Sequence, residues 1–414
     1  MSFFKIASLV NQYFYKKRHF PDLHELNVLR LSRPEKRQLL TTIRNALFFE
    51  WILKNYFFNF YKKKSLSLGL SVIMVALQES LFHKAPIFHV SKELKTTLHQ
   101  LKLSWLYPLV LPFFKEIKNL DFYWPLFLTD LSKEPIIADL LKEHLMLNLS
   151  FLFRHPPFGV RFEKDEDYHL FLSKNPDAKT ISSLSNFVIV PESSVGLLEL
   201  FNQGRVSYQD AAAFSLYEAL PDIKPKVIYD CCAAPGGKST ILLKKWPEAS
   251  FYLTDLSPLR LSRLNENICR FLQSSQIPAN IFITEHDWSE KSMEAPMADL
   301  MLVDAPCSGL GVVARHPDIL WKKNKEILLE NQKNQSLILD CAALQLKPGG
   351  YLIYSTCSLS SIENDEVIKK FLASHSEFKA LPINLTLGNT TSYGSQILPS
   401  NEHDGLYFCL LSKN

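Results

Sequence analysis

The sequence predicts a three-part chain: a Rossmann-like α/β unit with a mainly parallel, doubly wound sheet over 221–414, an all-α module over 1–125, and a small α+β linker subdomain over 126–220. Three observations lead there. From residue 225 short apolar strands alternate with helical runs, the pattern of a sheet covered by helices on both faces. Before residue 125 apolar residues recur at three-to-four spacing, with Gly69 as the single glycine ahead of residue 159. Finally, 414 residues exceed one ordinary core, at roughly 100–200 residues per domain.

In chain order, Glu35–Tyr61, Leu66–Phe82 and Ser91–Leu101 read as amphipathic helices. The middle region mixes a helical run, Ile136–Leu149, with a strand at Asn186–Val190 and a break at His155-Pro156-Pro157-Phe158. The α/β part offers strands at Lys226–Asp230, Phe251–Asp255, Asn280–Thr284, Leu300–Asp304 and Tyr351–Ser355, with helices Ser257–Leu272 and Lys325–Leu346 between some of them. Gly405–Lys413 reads as a final strand. Six of the thirteen glycines (236, 237, 309, 311, 349 and 350) fall within 115 residues of that part, which marks it as the place for sharp loops and for chemistry.

A composition of 47% hydrophobic and 21% charged residues excludes a largely disordered or collagen-like chain. The net charge of +4 hides an asymmetry: residues 1–150 carry 21 Lys+Arg against 12 Asp+Glu, leaving 25 against 30 for the rest. The basic excess lies before residue 65, in Lys16-Lys17-Arg18, Arg33 to Arg37 and Lys62-Lys63-Lys64, interleaved with Phe and Tyr. Such a face attracts phosphate backbones; solvated helix faces are the alternative.

Seven cysteines, with no CxxC pair and no secretion signal, point to a reducing cytoplasm and to no metal site. Lys5 interrupts the amino-terminal apolar stretch, and the uncharged run Ser65–Gln78 is too short to span a bilayer, so neither export nor membrane insertion is expected.

The densest small-residue run is Asp230-Cys231-Cys232-Ala233-Ala234-Pro235-Gly236-Gly237-Lys238-Ser239, after a strand and before a helix. A Walker A loop needs Gly where Cys232 stands, so Gly237-Lys238-Ser239 is not an ATP site. What remains is a turn that lets backbone approach a ligand at a strand's carboxyl end, or a plain tight connection. Asp255 ends the next strand, where an acid can accept hydrogen bonds from ribose hydroxyls; capping of the helix at Ser257-Pro258 is the competing role.

Asp304-Ala305-Pro306-Cys307-Ser308-Gly309 and Ser355-Thr356-Cys357-Ser358 each follow an apolar strand. If those strands are neighbours, the two thiols converge on the cleft that holds the 232–238 loop. Cys269 and Cys341, on helical faces, read as small packing residues.

From about Gly204 onward the chain resembles the RsmB/NSUN family of S-adenosylmethionine-dependent RNA cytosine-C5 methyltransferases. The resemblance rests on Gln209-Asp210, the loop Cys232 to Lys238, the block Asp304 to Trp321, the Cys357 segment running into Glu363-Asn364, and Asp404-Gly405-Leu406-Tyr407. It implies that Cys232, Ala233, Ala234, Pro235, Gly236, Gly237 and Lys238 contact the methionine part of the cofactor, Asp255 its ribose and Asp287 the adenine side. Asp304 is expected between cofactor and target base, Cys357 as nucleophile and Cys307 as the thiol that assists release. Lys238 is expected to support Asp304, and Arg315-His316-Pro317-Asp318 could touch RNA, with a helix start as the other reading of Asp318.

The chemistry explains the pair of thiols. Carbon 5 of cytosine is too poor a nucleophile until a thiolate adds at carbon 6, and release then needs a further acid/base group. The base must also leave its stack, at a cost of a few kcal/mol.

The amino-terminal part weakly resembles the NusB-like RNA-binding module of the bacterial ribosomal-RNA members, through Leu68 to Val90, Lys92 to Leu101, Pro156 and Val160-Arg161-Phe162. The expected partner is therefore RNA, small-subunit ribosomal RNA first, with a monomeric protein and no obligate protein partner. The same reaction on transfer RNA or another RNA, and a catalytically silent RNA-binding or ribosome-assembly factor, are the alternatives.

Overall fold

The computed structural model describes residues 3–17, 21, 29, 31–56, 67–79, 87–108, 110–111, 127–144, 147–154, 156, 158–190, 195–290, 293–322 and 324–414. Arg18, Lys62, Lys63, Lys64, Phe82, His155 and Pro157, singled out above, lie outside them. The chain divides into two units, Met1–Leu141 with Val313–Lys322, and Lys142–Val312 with Lys323–Asn414.

The described residues of the first unit are helical: α1 (Phe3–Val10), α2 (Arg33–Arg44), α3 (Ala46–Tyr56), α4 (Ser67–Leu77), α5 (Ile87–Gln100) and α6 (Pro135–Glu143), whose last two residues belong to the second unit. The expected helix Glu35–Tyr61 is two helices. Its break is Asn45, whose side-chain amide bonds back to the Thr41 carbonyl and across to Gln78, competing with the helical ladder. The capping box of α2 is complete: the Ser32 amide and hydroxyl both donate to Glu35, each at 2.8 Å. The core helix α4 is buried from Gly69 to Leu77, which explains why its pattern is apolar all round. Within this unit the Arg44 guanidinium donates to the Ala314 carbonyl at 3.2 Å, and Asp318 precedes the short helix Ile319–Lys322.

The helical run expected over Ile136–Leu149 ends at Glu143, and a 3-10 turn follows at Leu149–Phe153. In the second unit β1 (Phe158–Phe162), α7 (Asp165–Lys174), β2 (Lys179–Thr180), β3 (Phe187–Val190), α8 (Val195–Asn202) and β4 (Val206–Tyr208) form a small antiparallel sheet in the order β2-β3-β1-β4. Its anchor is Arg161, 1% exposed, which bonds Glu163, Gln209 and Thr240, so that the small sheet grips the helix behind the 232–238 loop.

The main sheet contains β5 (Val227–Asp230), α9 (Gly237–Lys245), β6 (Ser250–Asp255), α10 (Pro258–Phe271), β7 (Ile281–Glu285), β8 (Ala298–Asp304), α11 (Lys325–Gln345), β9 (Leu346–Thr356), α12 (Asp365–Ser374), β10 (Phe378–Leu381), β11 (Asn389–Thr390), β12 (Ser395–Ile397) and β13 (Leu406–Lys413). The strand order is β11-β12-β13-β9-β8-β5-β6-β7, with β10 also on β13. The run β9-β8-β5-β6-β7 is parallel, and β10 to β13 add an antiparallel margin.

Chain order reverses between β5 and β8, so the carboxyl ends there bound a crevice at a topological switch point. Leu300, Met301, Leu302 and Val303 of central β8 are all fully buried, as a strand covered on both faces requires. This is a Rossmann-like α/β fold.

Candidate active site

The acids and cysteines singled out as chemical sit at or just past strands of the parallel run, and Lys238 opens α9: Cys231 and Cys232 follow β5, Asp255 ends β6, Asp287 follows β7, Asp304 and Cys307 lie at and after β8, and Cys357 follows β9. β8 and β9 pair in parallel with Asp304 opposite Ser355. The expected convergence follows, with the Cys307 and Cys357 sulfurs 3.1 Å apart. The Cys307 thiol is pushed well above its usual pKa by the hydrogen bond with the Cys357 sulfur and then by burial, which keeps it protonated.

Between the thiols and the loop lies an ion pair, Lys238 Nζ to Asp304 Oδ2 at 2.7 Å, and the Ser355 hydroxyl donates to Asp304 Oδ1 at 3.0 Å. Burial works against the Lys238 charge, but Asp304 outweighs it and raises the ammonium pKa, with Cys357 contributing in the same direction. The loop itself turns at Gly236, φ +105°, where a Cβ would meet Leu264 at 2.9 Å. Arg260 ties the loop to β6: it donates to the Ala234 carbonyl at 2.5 Å and to Asp255 Oδ1 at 3.1 Å. Asp255 also accepts from the Ser257 amide, so it helps to shape the start of α10 and lines the cavity as well.

A cavity of about 380 Å³ joins these groups. Its wall includes Cys232, Lys238, Asp255, Asp287, Asp304, Cys307 and Cys357, with Leu256, Trp288, Pro306 and Ile338 as apolar surface. Trp288 is pinned by its indole N–H to Thr254 Oγ1 at 2.8 Å.

Of the loop residues expected to meet the cofactor, Cys232 and Lys238 line this cavity, while Ala233, Ala234, Pro235, Gly236 and Gly237 form the turn behind it. Cys269 on α10 and Cys341 on α11 are half-buried and stand apart from it. Arg315, His316 and Asp318 fall within the first unit. Two neighbours escaped the sequence reading, Arg260 and Asn334, and the buried carboxylate Glu363 was quoted there only as part of a block, without a role. Arg260, in the first turn after the acidic strand end, was the most accessible of them to such reading.

Among the described residues no cluster of His, Cys, Asp or Glu is suited to a metal ion, and no helix is long and apolar enough to cross a membrane.

A doubly wound sheet with a strand-end acid and a small-residue loop describes a nucleoside-cofactor site, here with paired thiols beside it. Residues 219–412 match the family described as 16S rRNA methyltransferase RsmB/F. Similar curated proteins are the ribosomal RNA small subunit methyltransferases B of Vibrio vulnificus and Photorhabdus laumondii. The first is 36% identical over 61% of this chain and 57% of its own length, the second 34% over 63% and 60%. The chain thus spans less than two thirds of the length of these relatives.

Among solved structures, PH0851 matches with a TM-score of 0.74 at 19% identity, over 100% of this chain and 99% of that one. A methyltransferase homologue from Pyrococcus horikoshii matches at 0.54 and 21%, over 67% and 94%. Both likenesses are of fold.

Methyltransferases of this family use S-adenosylmethionine, and the cavity fits it. The donor set combines three carboxylates, Asp255, Asp287 and Asp304, with two cations, Lys238 and Arg260, which favours a positively charged sulfonium ligand. Asp287 Oδ1 is taken by Ser289, at 2.8 and 2.6 Å, and among the described residues Oδ2 meets no donor, which leaves an acceptor for a ligand. The apolar surface of Trp288, Leu256 and Ile338 suits a flat base.

Proposed function

We propose that this chain transfers a methyl group from S-adenosylmethionine to carbon 5 of a cytosine in RNA, and that the RNA is small-subunit ribosomal RNA. The observation that carries the reading is the pair of sulfurs 3.1 Å apart at the carboxyl ends of adjacent parallel strands, beside the Lys238–Asp304 ion pair. A single thiol serves many enzymes; two in contact at one ligand cavity answer a reaction in which one adds to the base and the other assists its departure.

Cys357, its sulfur against that of Cys307 at the wall of the cavity, acts as nucleophile. Its sulfur adds to carbon 6, and the electron pair of the 5,6 double bond becomes available at carbon 5. Asp304, held by Lys238 and Ser355, accepts hydrogen bonds from the amidine edge of the base and favours the electron-poor ring that a thiolate attacks. The bound cofactor supplies the electrophilic methyl group. A base takes the carbon 5 proton, the double bond re-forms and the Cys357 sulfur is expelled, with Cys307, a thiol kept protonated, donating to that sulfur as it leaves.

Names of the relatives support ribosomal RNA as substrate, and the basic bias of residues 1–64 supports a polyanion. The test is incorporation of labelled methyl from S-adenosylmethionine into protein-free ribosomal and transfer RNA, followed by nucleoside analysis. The expected result is 5-methylcytidine at one position of small-subunit ribosomal RNA. Label in transfer RNA alone would move the substrate, and label on another atom would refute the reaction.

A further inference from the structure

The two thiols sit on separate loops 50 residues apart, and the residue after each bonds to one carboxylate that has no part in the chemistry above. Glu363 is fully buried. Its Oε2 accepts from the hydroxyls of Ser308 and Ser358, both at 2.5 Å, and these are the residues that follow Cys307 and Cys357. Its Oε1 accepts from the Ser308 amide at 2.8 Å and from Asn331 and Gln335 of α11 at 2.9 and 3.3 Å. Gln335 also holds the Pro306 carbonyl, next to Cys307, at 3.0 Å.

Among the described residues, each of these partners is a neutral donor. A buried carboxylate without a cationic partner is costly to the fold, and five donors from three segments are what offset the cost. An acceptor-only group with about four lone-pair sites is also the one side chain that can take both serine hydroxyls and the amide donors together. A glutamine would present an NH2 to one side of this ring of donors.

We propose that Glu363 is the positioning residue of the two-thiol site, setting the distance between Cys307 and Cys357 by holding on one carboxylate the residue that follows each. The proposal rests on the reading of the pair as nucleophile and release thiol, and its test separates the two. Glu363 touches neither substrate nor cofactor; it acts through the loops. Loosening it lets the sulfurs drift apart while the cofactor wall of Asp255, Asp287 and Trp288 stays in place.

The experiment compares the full-length wild type, Glu363→Gln and the double variant Ser308→Ala/Ser358→Ala. The first readout is affinity for phenylarsine oxide, which bridges two adjacent thiols with release of one water; Cys307→Ala and Cys357→Ala identify the signal that needs both sulfurs. Glu363→Gln should weaken that signal about tenfold or more. Turnover should show a split, with kcat reduced about 30-fold or more and KM for S-adenosylmethionine within about twofold of wild type.

Wild-type arsenical affinity and kcat in both altered proteins would overturn the proposal, as would equal losses of kcat and cofactor affinity. If Glu363→Gln fails to fold, the serine pair carries the same test. If the wild type binds the arsenical through both sulfurs but methylates no RNA, the functional reading fails and the positioning role stands on the binding data.

Discussion

At the scale of single residues, the thiols make opposite predictions. Cys357→Ala should reduce methyl transfer by about a thousandfold or more, while equilibrium binding of S-adenosylmethionine stays near the wild-type value, because the cofactor wall is untouched; turnover at the wild-type rate would remove Cys357 from the mechanism. Asp230 supplies a separate test. Burial raises its carboxyl to about 7, and Ser239, donating to Oδ2 at 2.7 Å, offsets this only in part. Between roughly pH 4 and 7 the folded protein therefore holds a proton that the unfolded chain has released, so this group lowers stability as pH rises through that window. Asp230→Asn keeps an acceptor for Ser239 and removes the titration. Its unfolding free energy relative to wild type should climb from pH 4 to 7 and level off above; a difference independent of pH would contradict the burial argument. Cys307, Cys357, Asp304 and Lys238 were legible in the sequence because loops after strands carried them. Glu363 was legible as a letter in a block, yet its role was not, since all but one of the five donors around it come from segments far along the chain.

At the scale of elements, the site is a product of strand ends. The parallel strands β5 to β9 were readable from apolar runs and their spacing, whereas β10, β11 and β12, of four, two and three residues, are too short to leave a period. The antiparallel margin matters because β13 begins at the segment that braces the Cys357 loop. Gly311 donates to the Cys357 carbonyl and accepts from the Gly405 amide, both at 2.9 Å. A Cβ on Gly311 would lie 2.1 Å from the Gly405 oxygen, which is backbone and cannot swing away. Gly311→Ala should thus destabilise the protein by about 1–3 kcal/mol, the usual cost of overpacking, and lower kcat by displacing Cys357. Chemical denaturation with parallel kinetics checks this, and an unchanged midpoint and rate would show that the approach is looser than drawn.

At the scale of the whole molecule, the residues lining the candidate site all belong to one unit, while the basic excess lies in the first 64 residues. Replacing Lys62, Lys63 and Lys64 with glutamine should weaken RNA binding across sequences and flatten the salt dependence by about 2 in log–log slope. An unchanged slope would make these three lysines solvated charges with no part in RNA binding. The charge asymmetry was legible from counting alone; the grouping of residues 313–322 with the amino-terminal helices was not, because it depends on contacts such as Arg44 with the Ala314 carbonyl that no local pattern announces.

The central claim, covalent catalysis on a cytosine, is tested most directly by mass spectrometry of Cys307→Ala protein after incubation with S-adenosylmethionine and small-subunit ribosomal RNA and digestion with nuclease. The account predicts a methylated cytidine nucleotide attached to Cys357, and no such adduct when Cys357 is also replaced. Full turnover by Cys307→Ala with no adduct, or an adduct on another residue, would contradict it.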